Sequence, residues 1–529
     1  MSQNPIEKFV ISLCDEPELT PKKLLSMQRD FARGTASPFF NTDELLQTYH
    51  NLCSNKTVKR SQTIEGLLRL KNTRSLSGIV VVSVLTKPYE CPGKCIYCPT
   101  FNGVPKSYLP DEPAVMRALT CKFNPFLQVR SRLRALTAVG HKTDKVNIRI
   151  IGGTWSYYPK KYQTWFIKSL FAAANGSPTN SSSTKLDELQ EKNELSPHRI
   201  VEISIETRQD YIDQKEIKRL RWLGITKVEL GVQSIYDKVL LANNRGNTDS
   251  ETIRATKLLK EAGFKVSYQM MLNLAGSDLD QDQSMFRQLF GNQNYKPDHL
   301  KIYPLALVRQ TSLFDLYQKG KYLPYSEGQL VTLLKKIKQN VPRYCRIERV
   351  IRDIPASNIV CGGAKISNLR QMVLLEMFKQ GTACNCIRCR EIKSGFSINE
   401  KFQLTRLDYG ASDGKEIFLS IESSDHTKLL SLLRLRVNAE SSSVLPSLRG
   451  AGIIREIHTY GPQVSIGEHQ IDAAQHQGWG KKLVCSAEEI IKKEFGLRKV
   501  AVIAGVGVRP YFRKLGYKLE DSYMVKNLD

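Results

Sequence analysis

The chain has 529 residues, more than one hydrophobic core normally serves, so about two to four domains are expected. With 41% hydrophobic and 25% charged residues, its composition is that of an ordinary soluble globular protein. No apolar run is long enough to span a bilayer, and the N-terminus lacks the pattern of a secretion signal. The sequence therefore predicts no membrane partner and a cytoplasmic, reducing location, where cysteines are more often metal ligands or core residues than disulfides.

The formal net charge of +26 favours a polyanionic partner, nucleic acid above all, over a merely solvated basic surface. Residues 71–175 carry 16 Lys or Arg against 4 acidic residues, and residues 335–393 carry 13 against 4. The first 70 residues are almost balanced. The positive charge thus concentrates around two regions that also bear cysteines.

Helical apolar spacing marks the first 70 residues, as in "PKKLLSMQRDFA" and "NTDELLQTYHNL", with Asn41 or Thr42 as the helix cap. We expect residues 1–70 to form a small helical domain. Six β-like apolar stretches follow, separated mostly by helical ones, which predicts an α/β fold with a parallel sheet. The stretches are 79–85, 146–153, 199–206, 227–234, 265–273 and 299–307.

Six strand–helix units predict a partial (βα)6 barrel over residues 71–345, with functional groups at the carboxyl ends of its strands. The polar stretch 175–197 is interpreted as a flexible insertion. Residues 346–395 are interpreted as a basic connector. From residue 396 to 529 the pattern becomes antiparallel, with one long helix, and predicts a separate α/β domain.

Three cysteines directly follow the first predicted strand, in "YECPGKCIYCPT": Cys91, Cys95 and Cys98. Three thiolates on a short loop can hold a [4Fe–4S] cluster and leave one of its four irons open to a substrate or cofactor. The alternative is a zinc knuckle or scattered core cysteines. Structural zinc sites use four closed ligands, and no further cysteine or histidine lies nearby before Cys121. The spacing and the place in the fold resemble those of radical S-adenosylmethionine (SAM) enzymes.

That resemblance implies further binding positions for S-adenosylmethionine. Gly152 and Gly153 in "IIGGT" resemble the motif whose backbone binds the methionine amino group. Glu206 in "EISIETRQD" resembles a strand residue facing the nucleoside end, with Arg208 as a further candidate. A Gly-Gly pair after a strand is also often only a turn.

The motif "QHQGWGKKL" begins at Gln475, and its Q-x-x-G-x-G pattern opens a predicted helix. The pattern resembles the pyrophosphate loop of GNAT-type acetyltransferases, in which glycines let backbone N–H groups approach the phosphates. A simple tight turn is the alternative. A preceding strand, "REIHTYG", and a later "VRPYFRKLGYKL" complete the acetyltransferase order. We therefore expect a GNAT-type domain that binds acetyl-CoA.

A second group of cysteines lies in the basic connector, in "GTACNCIRCRE". Cys384, Cys386 and Cys389 are closely spaced, and Cys361 in "NIVCGGA" is a candidate fourth thiolate. Four thiolates suit a tetrahedral, structural zinc ion. The alternative is a set of unpaired surface thiols.

Taken together, these motifs resemble the catalytic subunits of Elongator, a family that modifies the wobble uridine of tRNA. The resemblance runs from about residue 71 to the end and rests on ordered motifs such as "GHKTDKV", "VELGVQSIYDKVL", "RDIPASNI" and "QHQGWG". It implies tRNA as the partner, through the anticodon loop, and an electron donor. Elongator-like subunits or a homodimer are possible further partners. The N-terminal domain is placed as tRNA-contacting by position only.

The family resemblance also implies the acetyl-CoA contacts. Lys145 would reach acetyl-CoA from the barrel, and the strand segment Glu456, Ile457, His458 and Thr459 would line it. The pyrophosphate would lie against Gln475, Gly478, Trp479, Gly480 and Lys481. Without the resemblance, Lys145 is a solvated lysine and His458 a core histidine. Phe512 stands where the family has a tyrosine, and Tyr511 is a candidate to replace its hydroxyl.

We hypothesise that a radical generated from S-adenosylmethionine at the cluster takes a hydrogen from the acetyl methyl of acetyl-CoA. The resulting carbon would add to C5 of the wobble uridine, and thioester hydrolysis would leave a carboxymethyl group. This makes the chain an acyltransferase, a tRNA uridine acetyltransferase of the radical class. Two alternatives are a protein lysine acetyltransferase with the barrel as scaffold, and a tRNA-binding module with idle sites.

Overall fold

The computed structural model describes residues 4–35, 40–68, 77–178, 184–393, 396–397, 400–439, 445–467, 474–475 and 477–529. None of the helices within these ranges combines the length and the apolar character needed to cross a bilayer. The molecule is built from an N-terminal group of helices, a parallel sheet with surrounding helices, and a second, mixed sheet.

The N-terminal helices are confirmed and share an apolar core of their own. Asn41 begins the third helix, and Glu44 reaches back to its backbone N–H at 3.0 Å, so the predicted cap is a capping box. Phe9, Val10 and Leu13 of the first helix pack in this core with Leu46 and Tyr49 of the third. The helices are α1 (Pro5–Cys14), α2 (Pro21–Thr35), α3 (Thr42–Ser54) and α4 (Gln62–Leu68).

A seven-stranded parallel sheet forms the partial barrel, with its strands in sequence order. All six predicted strands are present, and a seventh, unpredicted strand pairs with the sixth at His299↔Arg346. Its sequence "RIER" contains one buried apolar residue, Ile347, and so lacks the apolar run on which strand prediction relies. The strands are β1 (Val80–Leu85), β2 (Lys145–Ile151), β3 (Arg199–Thr207), β4 (Lys227–Gln233), β5 (Lys265–Leu272), β6 (His299–Pro304) and β7 (Arg346–Arg349).

Helices cover the outer face of this sheet and bury its apolar side chains. They are α5 (Pro113–Thr120), α6 (Pro125–Ala138), α7 (Lys160–Ala174), α8 (Leu186–Asn193), α9 (Gln214–Trp222), α10 (Asp237–Ala242), α11 (Asp249–Glu261), α12 (Leu279–Gly291), α13 (Ser312–Gln318) and α14 (Glu327–Gln339). The flexible insertion predicted for 175–197 is partly wrong. Helix α8 lies within it, and Asn193 is fully buried and donates to the Asn175 side chain at 2.7 Å. Residues 179–183 lie outside the described residues.

The connector begins inside the barrel sheet, because β7 starts at the residue where the connector was predicted to begin. It continues through α15 (Leu369–Lys379) and α16 (Ile387–Arg390). The fold class is confirmed with one strand more than expected. The domain limits themselves stay predictions.

The second sheet also has seven strands, and it is mixed rather than antiparallel throughout. Its order is β13-β14-β12-β11-β10-β9-β8, and only β11 and β12 pair in parallel. The strands are β8 (Phe402–Ala411), β9 (Gly414–Ser423), β10 (Leu429–Asn438), β11 (Gly452–Thr459), β12 (Lys499–Val502), β13 (Lys518–Glu520) and β14 (Tyr523–Asn527). The helices here are α17 (Trp479–Phe495) and α18 (Arg509–Arg513).

A buried ion cluster joins the two sheets. Asp298, just before β6, accepts from Arg455 of β11 at 3.1 Å, and Arg434 and Lys260 lie within 3.8 Å of the same carboxylate. All four side chains are essentially inaccessible to water. The amino ends of the barrel strands consequently face β11, which the sequence did not predict.

Candidate functional site

The predicted cluster cysteines lie on the loop that follows β1, at the carboxyl end of the barrel sheet. Cys91 and Cys98 line the large cavity described below, and Cys95 is buried behind them. A Cβ added at Gly93, between the first two cysteines, would come within 3.5 Å of the Cys95 sulfur. The backbone at Gly93 therefore lies against the Cys95 thiol.

Positive charge surrounds this loop. The Arg245 guanidinium lies 3.7 Å from the Cys95 sulfur, and an added Cβ at Gly93 would lie 2.7 Å from the Arg208 guanidinium. Hydrogen bonding from Cys98 and the charge of Arg245 outweigh burial and lower the pKa of Cys95 to about 5. Thiolates are the form that binds iron, so the donor set suits an iron–sulfur cluster. Sequence reasoning assigned Arg245 no role, because 150 residues separate it from Cys95.

The glycines predicted to bind S-adenosylmethionine end β2. Gly152 and Gly153 have φ angles of +120° and +127°, which favour glycine. A Cβ at Gly152 would lie 2.4 Å from the Thr86 hydroxyl, whereas the space within 4 Å of Gly153 is open. Gly153 also lines the cavity, so its backbone is accessible to a bound molecule.

Glu206, at the end of β3, also lines the cavity, and protein groups already engage it. It accepts from the Tyr108 hydroxyl at 3.1 Å and from the Gln269 amide at 2.9 Å. Lys301 lies 3.4 Å away. Charged side chains continue along the barrel interior from this point, in place of the apolar layers that fill a complete barrel.

One cavity of about 820 Å³ runs through the barrel interior. At the carboxyl ends of the strands its wall includes Cys91 and Cys98, and at the amino ends it includes Glu456 and His458 of β11. Nine arginines also contribute to the wall: Arg117, Arg132, Arg149, Arg208, Arg245, Arg346, Arg349, Arg352 and Arg388. A single space therefore connects the cysteine loop with the second sheet, and its walls suit a polyanion.

The parallel strands β11 and β12 separate part of the way along their length. Their pairing stops at Ile454↔Val502, while β11 continues to Thr459. The last four residues of β11 stay paired with β10 on the other side, from Glu456↔Arg434 to Thr459↔Ser431. Among the described residues, the edge of β11 that faces away from β10 is thus unpaired over Glu456–His458, whereas the Thr459 backbone oxygen already accepts a hydrogen bond from Gln475.

Helix α17 begins beside this open edge, with Gly478 in a left-handed conformation at φ +83° and Trp479 as its first residue. A Cβ at Gly480 would lie 2.9 Å from the Tyr511 hydroxyl and 3.6 Å from Ile457. The loop therefore depends on glycine for close approach, as in phosphate binding at a helix N-terminus. Lys481 is exposed in the same turn.

Two polar atoms beside this loop are buried and have no hydrogen-bond partner among the described residues: the Trp479 indole nitrogen and the Tyr511 hydroxyl. Buried polar groups usually pair with protein, water or a ligand, so these two atoms are available to a bound molecule. Phe512 is 1% exposed and packs against Tyr517, so it points into the core rather than toward the loop. These atoms and the open edge suit acetyl-CoA, with Tyr511 as the polar ring.

Lys145, at the start of β2, contacts Gln475 in the glycine loop, the loop that leads through Gly478 and Gly480 into α17. Its ammonium donates to the Gln475 side-chain oxygen at 2.8 Å, and burial lowers the pKa of Lys145 to about 8. Gln475 also donates to the Thr459 backbone oxygen at 3.1 Å. A Cβ at Gly78 would overlap the Gln475 amide, so glycine is required there.

Glu456 and His458 point into the cavity, on the barrel side of β11. Glu456 pairs with Arg434 at 2.7 Å and lies 3.4 Å from Lys265. His458 is hydrogen-bonded through Nε2 to the Ser77 carbonyl at 2.7 Å. The Thr459 hydroxyl instead lies 2.9 Å from the Ser431 hydroxyl and is hydrogen-bonded to it.

Cys384, Cys386 and Cys389 come together, with all three sulfur atoms within 4.8 Å of one another. Hydrogen bonds from the other two thiols hold the pKa of Cys386 well below its usual value. The structure does not bring Cys361 to this group. It packs in another cluster, together with Ile96 and Tyr97 of the cysteine loop. Cys345, which the sequence did not indicate, lies nearer than Cys361 to the three connector cysteines. Its carbonyl accepts a hydrogen bond of 3.0 Å from the N–H of Ile387, which lies between Cys386 and Cys389.

Comparison with protein families gives two matches. Residues 85–287 match the Radical SAM superfamily, and this range contains all three cysteines of the loop after β1. Residues 297–379 match the Radical_SAM C-terminal domain. The first match implies a [4Fe–4S] cluster and S-adenosylmethionine as cofactors.

Named relatives resemble nearly the whole chain. A tRNA uridine(34) acetyltransferase of Dehalococcoides mccartyi is 44% identical over 465 residues, covering 87% of this chain and 100% of the relative. That of Methanocaldococcus jannaschii is 41% identical and covers 89% of each chain. Elongator complex protein 3 of Homo sapiens is 38% identical, covering 87% and 86%. Among solved structures, N-terminally truncated archaeal Elp3 from Methanocaldococcus infernus has a TM-score of 0.74 at 38% identity, covering 86% and 100%.

Proposed function

The chain belongs to the family of the tRNA uridine(34) acetyltransferases and Elongator complex protein 3, and we propose that it carboxymethylates the wobble uridine of tRNA. The carbon comes from the acetyl group of acetyl-CoA. The observation that carries this proposal is the single cavity shared by the cysteine loop and β11. A radical reaction between two sites requires that they open into one space shielded from water.

In this proposal Cys91, Cys95 and Cys98 hold the cluster, while Gly152, Gly153 and Glu206 contact S-adenosylmethionine. When bound, these cofactors supply a carbon-centred oxidant able to remove hydrogen from a methyl group. The arginines near Cys95 offset the negative charge of the thiolates. Cys95 is buried, whereas Cys91 and Cys98 are half-buried.

Acetyl-CoA lies along the open edge of β11, over Glu456, Ile457, His458 and Thr459. Its pyrophosphate contacts the α17 N-terminus at Gln475, Gly478, Trp479, Gly480 and Lys481. Tyr511, rather than Phe512, donates the tyrosine hydrogen bond, because its hydroxyl lies beside Gly480 and has no partner in the part of the chain that the structure describes. Lys145 acts by holding Gln475.

The tRNA enters past the arginines of the cavity wall, which contact its phosphates. The wobble base leaves the anticodon stack to reach the interior, as single-stranded RNA targets usually do. A structural zinc ion occupies the Cys384, Cys386 and Cys389 group. A cytoplasmic location, an electron donor and Elongator-like subunits or a homodimer remain part of the proposal, as does the tRNA-contacting role of the N-terminal helices.

The test is anaerobic incubation of reconstituted protein with tRNA, acetyl-CoA and S-adenosylmethionine, followed by mass spectrometry of the nucleosides. Wild type and the control Cys121→Ser should form carboxymethyluridine, and Cys95→Ser should form none. Equal product from Cys95→Ser would refute the radical reaction. Lysine acetylation of proteins that survives in Cys95→Ser, without any uridine product in the wild type, would favour the protein acetyltransferase instead.

A further inference from the structure

The proposed reaction includes the hydrolysis of a thioester, and no group has so far been assigned to activate the water. A base for this step must lie where the acetyl end of the substrate enters the cavity. It must also be unprotonated and carry an accessible lone pair. Glu456 and His458 are the residues of β11 that line the cavity. Glu456 is paired with Arg434 and Lys265, so its carboxylate is not free to act as the base.

His458 meets these conditions through the hydrogen bond that fixes its tautomer. The Ser77 carbonyl can only accept, so His458 Nε2 carries the proton of the 2.7 Å contact. In the neutral ring Nδ1 then holds the lone pair. None of the described residues hydrogen-bonds to that atom, although the ring lines the cavity.

Residues from the barrel side and from the second sheet together fix the position of the imidazole ring. Ser77 belongs to the segment before β1 and forms a parallel bridge with Gly461, just beyond β11. The Tyr460 ring packs against the imidazole with centroids 4.3 Å apart. His458 also lies on the stretch of β11 whose edge is open, beyond the last pair with β12. The ring is therefore held at the point where a ligand on that edge would enter the cavity.

Burial, rather than the surrounding charges, favours the neutral form of the imidazole. Burial lowers the pKa of His458, and Arg346 of β7 and Lys265 of β5 act in the same direction. Glu456, two residues earlier on the strand, acts in the opposite direction but is itself paired with Arg434. These are the charged groups that face the ring from β5, β7 and β11.

We infer that His458 is the general base for thioester hydrolysis, an inference that rests on the proposed function. Nδ1 takes a proton from water as the water oxygen bonds to the thioester carbonyl carbon. The carbon–sulfur bond then breaks, and the imidazolium returns the proton to the departing CoA sulfur. The carboxyl product loses its remaining proton to solvent, so the overall change is thioester plus water to carboxylate, thiol and one proton.

The decisive variant is His458→Gln, whose amide N–H can still donate to the Ser77 carbonyl while the basic nitrogen is lost. Nuclease digests analysed by mass spectrometry should show uridine that still carries the CoA thioester. Release of free CoA thiol should fall about 100-fold, the usual scale of general-base catalysis. Acetyl-CoA affinity, measured by calorimetry, should stay within about twofold of wild type, since the backbone of β11 is unchanged. His50→Gln, on α3, serves as the matched control.

A second variant separates chemistry from folding. In His458→Gly, added imidazole should restore thiol release and carboxymethyluridine, which a purely structural role of the side chain would not allow. If His458→Gln releases thiol and forms carboxymethyluridine at the wild-type rate, the inference is wrong and the proposed function stands. If wild type forms no modified uridine at all, the proposed function fails and the inference falls with it.

Discussion

The Lys145 ammonium, at the amino end of the second barrel strand, donates to the Gln475 side chain 330 residues later, at 2.8 Å. This contact joins the parallel sheet directly to the loop that opens α17. Gln475 in turn donates to the Thr459 backbone on β11. The proposed acetyl-CoA site is therefore organised partly by the barrel.

Lys145→Met should reveal the buried charge through the pH dependence of stability. Burial lowers the pKa of Lys145 to about 8 from 10.5, so the unfolded chain binds more protons between these pH values. Wild type should therefore gain up to about 3 kcal/mol in free energy of unfolding, relative to the variant, as pH rises through this window. Chemical denaturation at several pH values measures this, with exposed Lys161→Met as the control. Parallel curves for wild type and Lys145→Met would show that the ammonium is not desolvated.

The proposed zinc site predicts different results for neighbouring cysteines. Cys386→Ser should lose zinc, measured by elemental mass spectrometry, and should melt at a lower temperature because a structural ion stabilises the fold. Cys361→Ser should keep its zinc, since Cys361 packs in a different cluster. Exposed Cys485→Ser provides the control for thiol loss. Zinc loss in Cys361→Ser would mean that the loop rearranges around the ion.

Tyr511→Phe should weaken acetyl-CoA binding without destabilising the protein. The hydroxyl is buried and no described residue pairs with it, so its removal leaves the free energy of unfolding unchanged or slightly higher. Loss of its hydrogen bond to the ligand should raise the Kd about three- to tenfold. Calorimetry and thermal melts test both parts. A clear fall in melting temperature together with an unchanged Kd would contradict this assignment.

Phe512→Tyr should not restore the hydroxyl that the family pattern places there. Phe512 is 1% exposed and faces the core, so an added hydroxyl would be buried without a partner. We expect a cost of about 1–3 kcal/mol in stability and no gain in acetyl-CoA affinity. Tighter binding by this variant would instead place residue 512 in the acetyl-CoA site.

Asp298→Asn tests the ion cluster between the two sheets. Arg455, Lys260 and Arg434 hold the pKa of Asp298 well below its usual value despite burial. The carboxylate therefore contributes stability that is present above pH about 4 and is lost as the pH falls below it. Removing the charge leaves Arg455 and Lys260 to share Glu416 and leaves Arg434 with Glu456 alone, and it should cost about 3–5 kcal/mol at neutral pH. Denaturation of Asp298→Asn and of exposed Glu489→Gln provides the comparison, and equal midpoints would show that the cluster is not stabilising.

Much of this protein was predictable from local patterns alone. Apolar runs located six barrel strands, because buried parallel strands require continuous hydrophobic sequence. The spacing of Cys91, Cys95 and Cys98 and the glycines from Gly478 onward indicated their chemistry, because each site lies within a single loop. Local patterns failed where a strand carried charges, as in "RIER", and where a polar stretch folded into a docked helix, as at α8.

Only the tertiary structure decided which distant residues meet. Arg245 reaches Cys95, Lys145 reaches Gln475 and Ser77 orients His458 across separations of 150, 330 and 381 residues. It also placed Cys361 away from the other connector cysteines and turned Tyr511, not Phe512, toward the glycine loop. The physical reason is that such contacts depend on how two sheets pack and which way each side chain points. The periodicity and spacing of a sequence indicate which face of one helix or strand is buried. They do not indicate which distant element packs against that face.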